Sequence, residues 1–361
     1  MLDINWFFFG LEKFKLTVSR NTLIKFLTII GIFTFVKEPE DLKKYVLIMS
    51  LGTVISQLSL WYFVPKYIDW YKPSWKDILK HLKPNLILFI PVVSVSIYKV
   101  MDKIMLGNMT DMKQVAYYEN SEKLIGIPMG FILALGTVML PRMSYLMKRG
   151  EREVIKNYIE ISLQFIMFLS GGICFGLSGI SANLIPIFFG NEFLPAIPVL
   201  SLLSFSVLFT SWANVIRTQY LIPNQKDKIY ILSTSLGAVI NVIFNLILIP
   251  KYGGIGAAIG TVFAELAVAL YQTISIKNEL PVKKFFNNIK IYLFPALIMY
   301  SINILLTNLI DNKYLSLFLQ LCIGGGVYVI LCVKVLISNN DKVKRLFFNK
   351  FKDKLDFLVE K

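Results

Sequence analysis

The sequence predicts an all-α, polytopic transmembrane helical bundle, and three observations carry that prediction. Of its 361 residues 55% are hydrophobic, 28 of them Phe, more than a water-soluble domain usually holds. Apolar runs of about 20 residues recur down the chain, and that length crosses a bilayer. Charged residues fall in short clusters between the runs. Inside lipid every backbone N–H and C=O must be satisfied locally, so runs of this kind are helices and not strands.

About ten spans are expected: Thr17–Val36, Tyr45–Val64, Leu86–Leu106, Leu124–Leu140, Tyr158–Ile180, Ile197–Tyr220, Ile229–Ile249, Ile255–Ile276, Ile291–Ile310 and Tyr314–Ile337. Pro65, Pro84, Pro141, Pro250 and Pro281 are expected to punctuate their edges. Numbering the connections alternately separates the charges. The six segments on the side of the N-terminus hold 29 Lys/Arg against 13 Asp/Glu, and the five opposite hold 7 against 8. By the positive-inside rule both termini are cytoplasmic. The net charge of +15 therefore reports membrane topology. A nucleic-acid surface would need its basic residues on one continuous face.

Cysteine and histidine point to no chemistry. Cys174, Cys322 and Cys332 lie inside apolar runs, and His81 is the single histidine, so neither a disulfide framework nor a metal site is expected. No nucleophile–base set, carboxylate pair or phosphate-cradling loop is present. Gly253-Gly254-x-Gly256 belongs to a helix hairpin and reads as a turn. The longest outer connection, Gly107 to Lys123, has no room for a folded catalytic domain.

The candidate functional residues are the polar ones at membrane depth, where ionisable groups are costly and face the protein interior or a water-filled path. On the third span Lys99 and Asp102 are three apart and share a helix face, with Lys103 beside them. They read either as a structural ion pair with Lys103 turned to the interface, or as a polar patch on a cavity. Arg142 and Arg217 end spans four and six on the cytoplasmic side, as topology signals or as planar forks suited to phosphate oxygens. Glu265 sits near the middle of span eight. Antiparallel pairing across the hairpin brings Asn241 beside Thr261 to Glu265, so Asn241 and Glu265 form either a buried pair or an ion-coupling site. Gly126-x-x-x-Gly130 and Gly172-x-x-x-Gly176 are expected to allow close helix contact. From 338 to 361, basic residues alternate with Leu and Phe, as in an amphipathic helix on the inner leaflet.

The strings LDINWFFFGLEKFK, DKIMLG, YYENSEKLIGIP, GTVMLPRMS, FFGNEFLPA and TQYLIPNQKDKIYILSTSLGAVINVIFNLILIPKYGGIGAAIGTVFAE resemble the Wzx-type oligosaccharide flippases. These are the polysaccharide-transporter branch of the superfamily that also holds the MATE exporters and lipid II flippases. The resemblance spans nearly the whole chain. It implies two helical lobes facing a central, often cationic cavity and rocking to alternate access. It also implies flipping of undecaprenyl-pyrophosphate-linked repeat units across the cytoplasmic membrane, for capsule or O-antigen assembly. Residues 1–84 would then be the last two helices of the N-terminal lobe, 85–337 the C-terminal lobe and 338–361 a cytoplasmic tail. The family has twelve to fourteen spans, so an N-terminally truncated member is expected. Expected partners are the lipid-linked oligosaccharide, membrane lipids and polysaccharide polymerase machinery, with no nucleic acid. No cofactor is expected beyond coupling to H+ or Na+. The competing readings are a MATE-type or other lipid-linked-precursor transporter, an integral-membrane polysaccharide enzyme and an inactive truncated flippase.

Overall fold

A computed structural model describes residues 3–69, 71–72 and 74–339, and among them every regular element is helical. The basic tail expected over 338–361 lies outside the described residues from 340 onward. Nine stretches among the described residues are long and apolar enough to cross a membrane. The third expected span lies on α4 (Trp75–Met109), whose 35 residues also suffice in length and carry the Lys99–Asp102–Lys103 cluster.

The chain opens with a short α1 (Asn5–Gly10) and a hairpin of α2 (Phe14–Phe35) and α3 (Leu42–Trp61). Arg20 ties the hairpin at one end. Its guanidinium donates to the Ser56 carbonyl, to Asn5 Oδ1 (3.1 Å) and to Asn21 Oδ1 (2.7 Å), and Ser56 Oγ donates to the same Asn21 oxygen. Phe8 of α1 is buried against Leu60 and Val64, forming a small core of its own. Only 6% of the most apolar stretch of either helix in this hairpin is buried, against 67% of that in Ala196–Leu221. The hairpin is therefore peripheral, and its apolar side chains have lipid or protein as their natural solvent.

The main core begins with α4, and the boundary expected at 84/85 falls inside this helix. Next come α5 (Met112–Lys148) and α6 (Arg152–Phe189), each about 55 Å long at 1.5 Å per residue. That exceeds the roughly 30 Å of hydrocarbon, so both project into water. The segment Gly107 to Lys123, expected as a loop, is mostly helix. Asp111 caps α5 by accepting from the Gln114 amide at 2.9 Å, which lets the chain turn within two residues. Span six divides into α7 (Ala196–Leu203), α8 (Ser206–Ile216) and a π-helical turn over Arg217–Leu221. Then follow α9 (Asp227–Tyr252), α10 (Gly254–Ser275), α11 (Val282–Leu309), α12 (Lys313–Leu319), a second π turn over Gln320–Gly324 and α13 (Gly325–Asn339).

Proline marks fewer edges than expected. Pro84, Pro141 and Pro250 lie within α4, α5 and α9, because transmembrane helices accommodate the freed carbonyl through neighbouring groups and local adjustment. Glycine contacts also depart from the motif reading. A Cβ on Gly126 or Gly130 would meet nothing within 4 Å among the described residues, so this pair does not seat a neighbouring helix. Gly172 does, lying under the Tyr328 ring, and Gly136 lies against Asn214 and Thr218.

The α9–α10 hairpin is the most closely packed pair. Gly253 turns the chain at φ +54°, and the next amide donates to Gln114 Oε1 at 2.9 Å, tying the hairpin tip to α5. A Cβ on Gly256 would lie 2.5 Å from the Leu248 carbonyl group, so the two backbones approach in a way only glycine permits.

Candidate functional site

A cavity of about 400 Å³ lies among α4, α5, α8, α9 and α10. Thr261, Glu265, Val268 and Gln272 of α10 line one wall, at spacings of four, three and four that keep them on one helix face. At 1.5 Å per residue this stripe is about 16 Å long, roughly half the hydrocarbon thickness. Ser206, Thr210, Asn214 and Arg217 make an equivalent stripe on α8 and its π turn. Tyr230 and Thr234 of α9 and Tyr118 and Glu122 of α5 complete the polar lining.

At one end the site is built around Asp102, which is 1% exposed. Its Oδ1 accepts from Asn245 Nδ2 at 2.5 Å, and its Oδ2 accepts from the Tyr118 and Thr261 hydroxyls at 2.8 and 3.0 Å. Those two hydroxyls are themselves 2.8 Å apart. Asn245 Nδ2 also donates to Asn241 Oδ1 at 3.2 Å, while Asn245 Oδ1 is buried without a hydrogen-bond partner. Four helices thus meet on one carboxylate. Its described partners are all neutral, so as an anion it is a buried charge that a proton or a cation would balance.

The other end is cationic. Arg217 Nη2 donates to Asn214 Oδ1 at 2.5 Å and Nη1 to the Tyr230 hydroxyl at 3.4 Å, and its guanidinium lies 5.6 Å from the Tyr230 ring centre. The π turn separates Arg217 from Tyr220, which would otherwise sit nearly one above the other. Arg217 lines this cavity, and Tyr220 lines a different one at the helix end.

The expected site residues divide accordingly. Asp102, Arg217 and Glu265 line the cavity together, and Glu265 is 7% exposed. Asn241 is fully buried, and its described bond runs to Asn245, linking it to Asp102. Lys103 pairs with Glu122 at 3.1 Å. Arg142 is exposed, stands over the Tyr145 ring and does not line the cavity. The side chain of Lys99 lies outside the described residues. Sequence reasoning missed Tyr118, Asn245, Tyr230 and Gln272, and gave Thr261 only as a neighbour of Asn241. Their signal was periodic: polar residues recurring every three or four positions on otherwise apolar helices.

The family model described as polysaccharide biosynthesis protein matches residues 1–147. A putative O-antigen transporter of Shigella dysenteriae is 26% identical over 280 residues, 76% of this chain and 69% of that protein. A probable low-salt glycan biosynthesis flippase of Haloferax volcanii is 25% identical over 258 residues, 71% of this chain and 54% of that one. Among solved structures, a lipid II flippase in an inward closed conformation matches with a TM-score of 0.66 and 21% identity, over 89% of this chain and 67% of that one. That last likeness speaks to the fold alone. The chain thus spans between about half and two thirds of the length of these relatives.

Proposed function

We propose that this chain is a Wzx-type polysaccharide flippase and moves an undecaprenyl-pyrophosphate-linked oligosaccharide repeat unit across the cytoplasmic membrane for surface-polymer assembly. The observation that carries the reading is the cavity among these helices, lined along α8 and α10 by stripes of polar side chains and holding Arg217 at one end. A pyrophosphate and its sugars cannot enter hydrocarbon unaided, because each charge and hydroxyl would lose its water. The side chains of Gln272, Thr234, Thr210 and Tyr230 offer hydrogen bonds to sugar hydroxyls. The Arg217 guanidinium, held by Asn214 and Tyr230, offers a fork to phosphate oxygens. The prenyl chain stays in lipid.

Transport against a gradient needs a coupled ion, and Asp102 is the group we assign to it, in place of an Asn241–Glu265 pair. A buried carboxylate among neutral donors, next to the unpartnered Asn245 Oδ1, suits a proton or a sodium ion. Sodium would be held by oxygens of Asp102, Asn245 and Thr261. Handover of the glycan to polymerase machinery belongs to the same reading.

Purified protein in liposomes loaded with fluorescent undecaprenyl-pyrophosphate-linked glycan tests the proposal. The expected result is protein-dependent movement of label to the opposite leaflet, lost in Arg217→Ala. Binding of the lipid-linked glycan that is equal in wild type and Arg217→Ala, with no flipping by either, would overturn it.

A further inference from the structure

A second cavity, of about 370 Å³, opens where α5 meets α6 and α10 meets α11, at the helix ends that carry the basic connections. It lies beyond the π turn of span six, away from Arg217. Arg152 and Lys156 on the first turns of α6 form its rim, with Asn224 after the π turn and Asn278 between α10 and α11. Ile155 and Leu280, both buried, floor it.

The one carboxylate in the lining is already engaged. Glu279 accepts from the Tyr220 hydroxyl with one oxygen and pairs with Lys226 through the other. Lys156 holds Glu153 at 2.8 Å on the outer surface. The Arg152 guanidinium has no hydrogen-bond acceptor among the described residues and is left as the surplus charge of the rim. The Arg152 guanidinium, with the Asn224 and Asn278 carboxamides beside it and the Glu153-paired Lys156 on the same rim, matches an oxyanion and offers it two parallel bonds.

We infer that this notch seats the phosphate of an anionic glycerophospholipid of the adjoining leaflet. The floor distinguishes a lipid from a soluble phosphate, since Ile155 and Leu280 offer contact to a glycerol–acyl junction and nothing to an inorganic anion. Basic pockets between helix ends at the membrane surface bind anionic headgroups by the same physics. The inference does not depend on what the central cavity carries.

Native mass spectrometry of the full chain in detergent tests it, using phosphatidylglycerol, phosphatidylcholine and inorganic phosphate as probes. Wild type is expected to retain phosphatidylglycerol over phosphatidylcholine. Arg152→Gln with Lys156→Gln should cut that retention at least tenfold, Arg152→Lys with Lys156→Arg should keep it, and millimolar phosphate should fail to compete. Equal retention of the two lipids by wild type, or unchanged retention in the glutamine variant, overturns the site. Competition by inorganic phosphate at the concentration of the lipid overturns the lipid assignment in favour of a soluble phosphate. Should the glutamine variant not fold, the wild-type lipid comparison and the charge-conserving variant still decide.

Discussion

Asp102 is where the architecture is most exposed to a test. Asp102→Ala removes three hydrogen bonds, from Asn245, Tyr118 and Thr261. Side-chain bonds inside membranes average about 0.6 kcal/mol and reach about 1.7 kcal/mol. The Tyr118 and Thr261 hydroxyls, 2.8 Å apart, can bond each other and recover one of the three. Two bonds and a small void then remain, a loss of about 2–4 kcal/mol. Asp102→Asn behaves differently. Its carbonyl oxygen still faces Asn245, and its amide can donate to either hydroxyl, which turns to accept. The expected change is within about 1 kcal/mol. Reversible unfolding in mixed micelles measures both. On the coupling proposal, the bound ion should stabilise wild type by about 2.7 kcal/mol at a hundredfold excess over Kd, and should not stabilise Asp102→Asn. Equal destabilisation by Ala and Asn, or ion stabilisation that survives in Asp102→Asn, would refute this reasoning.

Three further outcomes follow from the geometry. Gly256→Ala forces the α9 and α10 backbones apart and should cost about 1–3 kcal/mol, whereas Gly126→Ala, with open space at its Cβ, should be neutral or stabilise by up to about 1 kcal/mol; thermal unfolding in detergent separates the two. Arg217→Lys keeps the charge but loses the fork that spans Asn214 and Tyr230, so flipping in proteoliposomes should fall about tenfold with expression unchanged, and full activity would reduce Arg217 to a topology signal. The hydrogen bonds from Lys226 and Tyr220 hold the Glu279 carboxyl below its ordinary range, so its contribution is complete above the unfolded carboxylate pKa and is lost as pH falls through the lower folded one. Stability between pH 5 and 3 should therefore fall less steeply in Glu279→Gln than in wild type; because the pair is partly exposed, added salt should shrink the difference.

What the sequence made legible was whatever length and polarity control. Span positions followed from apolar runs, and the α9–α10 turn followed from Gly253-Gly254. The Gly256-x-x-x-Gly260 spacing on α10 does mark a close approach, because an added Cβ at either glycine would meet Leu248 or Asn245 of α9. Where reading failed, the reason was three-dimensional. Gly126-x-x-x-Gly130 has the spacing of a packing motif, yet it faces open space, because spacing fixes a helix face and not what stands opposite. Arg142 and Arg217 end neighbouring spans in the same way, but the π turn and the Asn214–Tyr230 pair bring only Arg217 to the cavity. Asn241 pairs in register with the Glu265 region, but α4 also packs against α9 and brings Asp102 to the adjacent Asn245. No local pattern on α9 or α10 announces that third helix.

The positions of Asp102 and Arg217 bear on how a single lobe could link ion and substrate. Both line one cavity, and α10 runs between them as an uninterrupted helix, with Thr261 bonded to Asp102 and Gln272 bonded to Ser233 of α9. The tight Gly256 and Gly237 contacts lock α9 to α10, so these two helices move together. On the proposed reading, charging or neutralising Asp102 acts on that pair, which meets the α8 segment and its π turn where Trp212 Nε1 donates to Thr273 Oγ1 at 2.7 Å and Arg217 donates to the Tyr230 hydroxyl at 3.4 Å. Linkage then requires reciprocity: the factor by which the ion tightens glycan binding must equal the factor by which glycan tightens the ion.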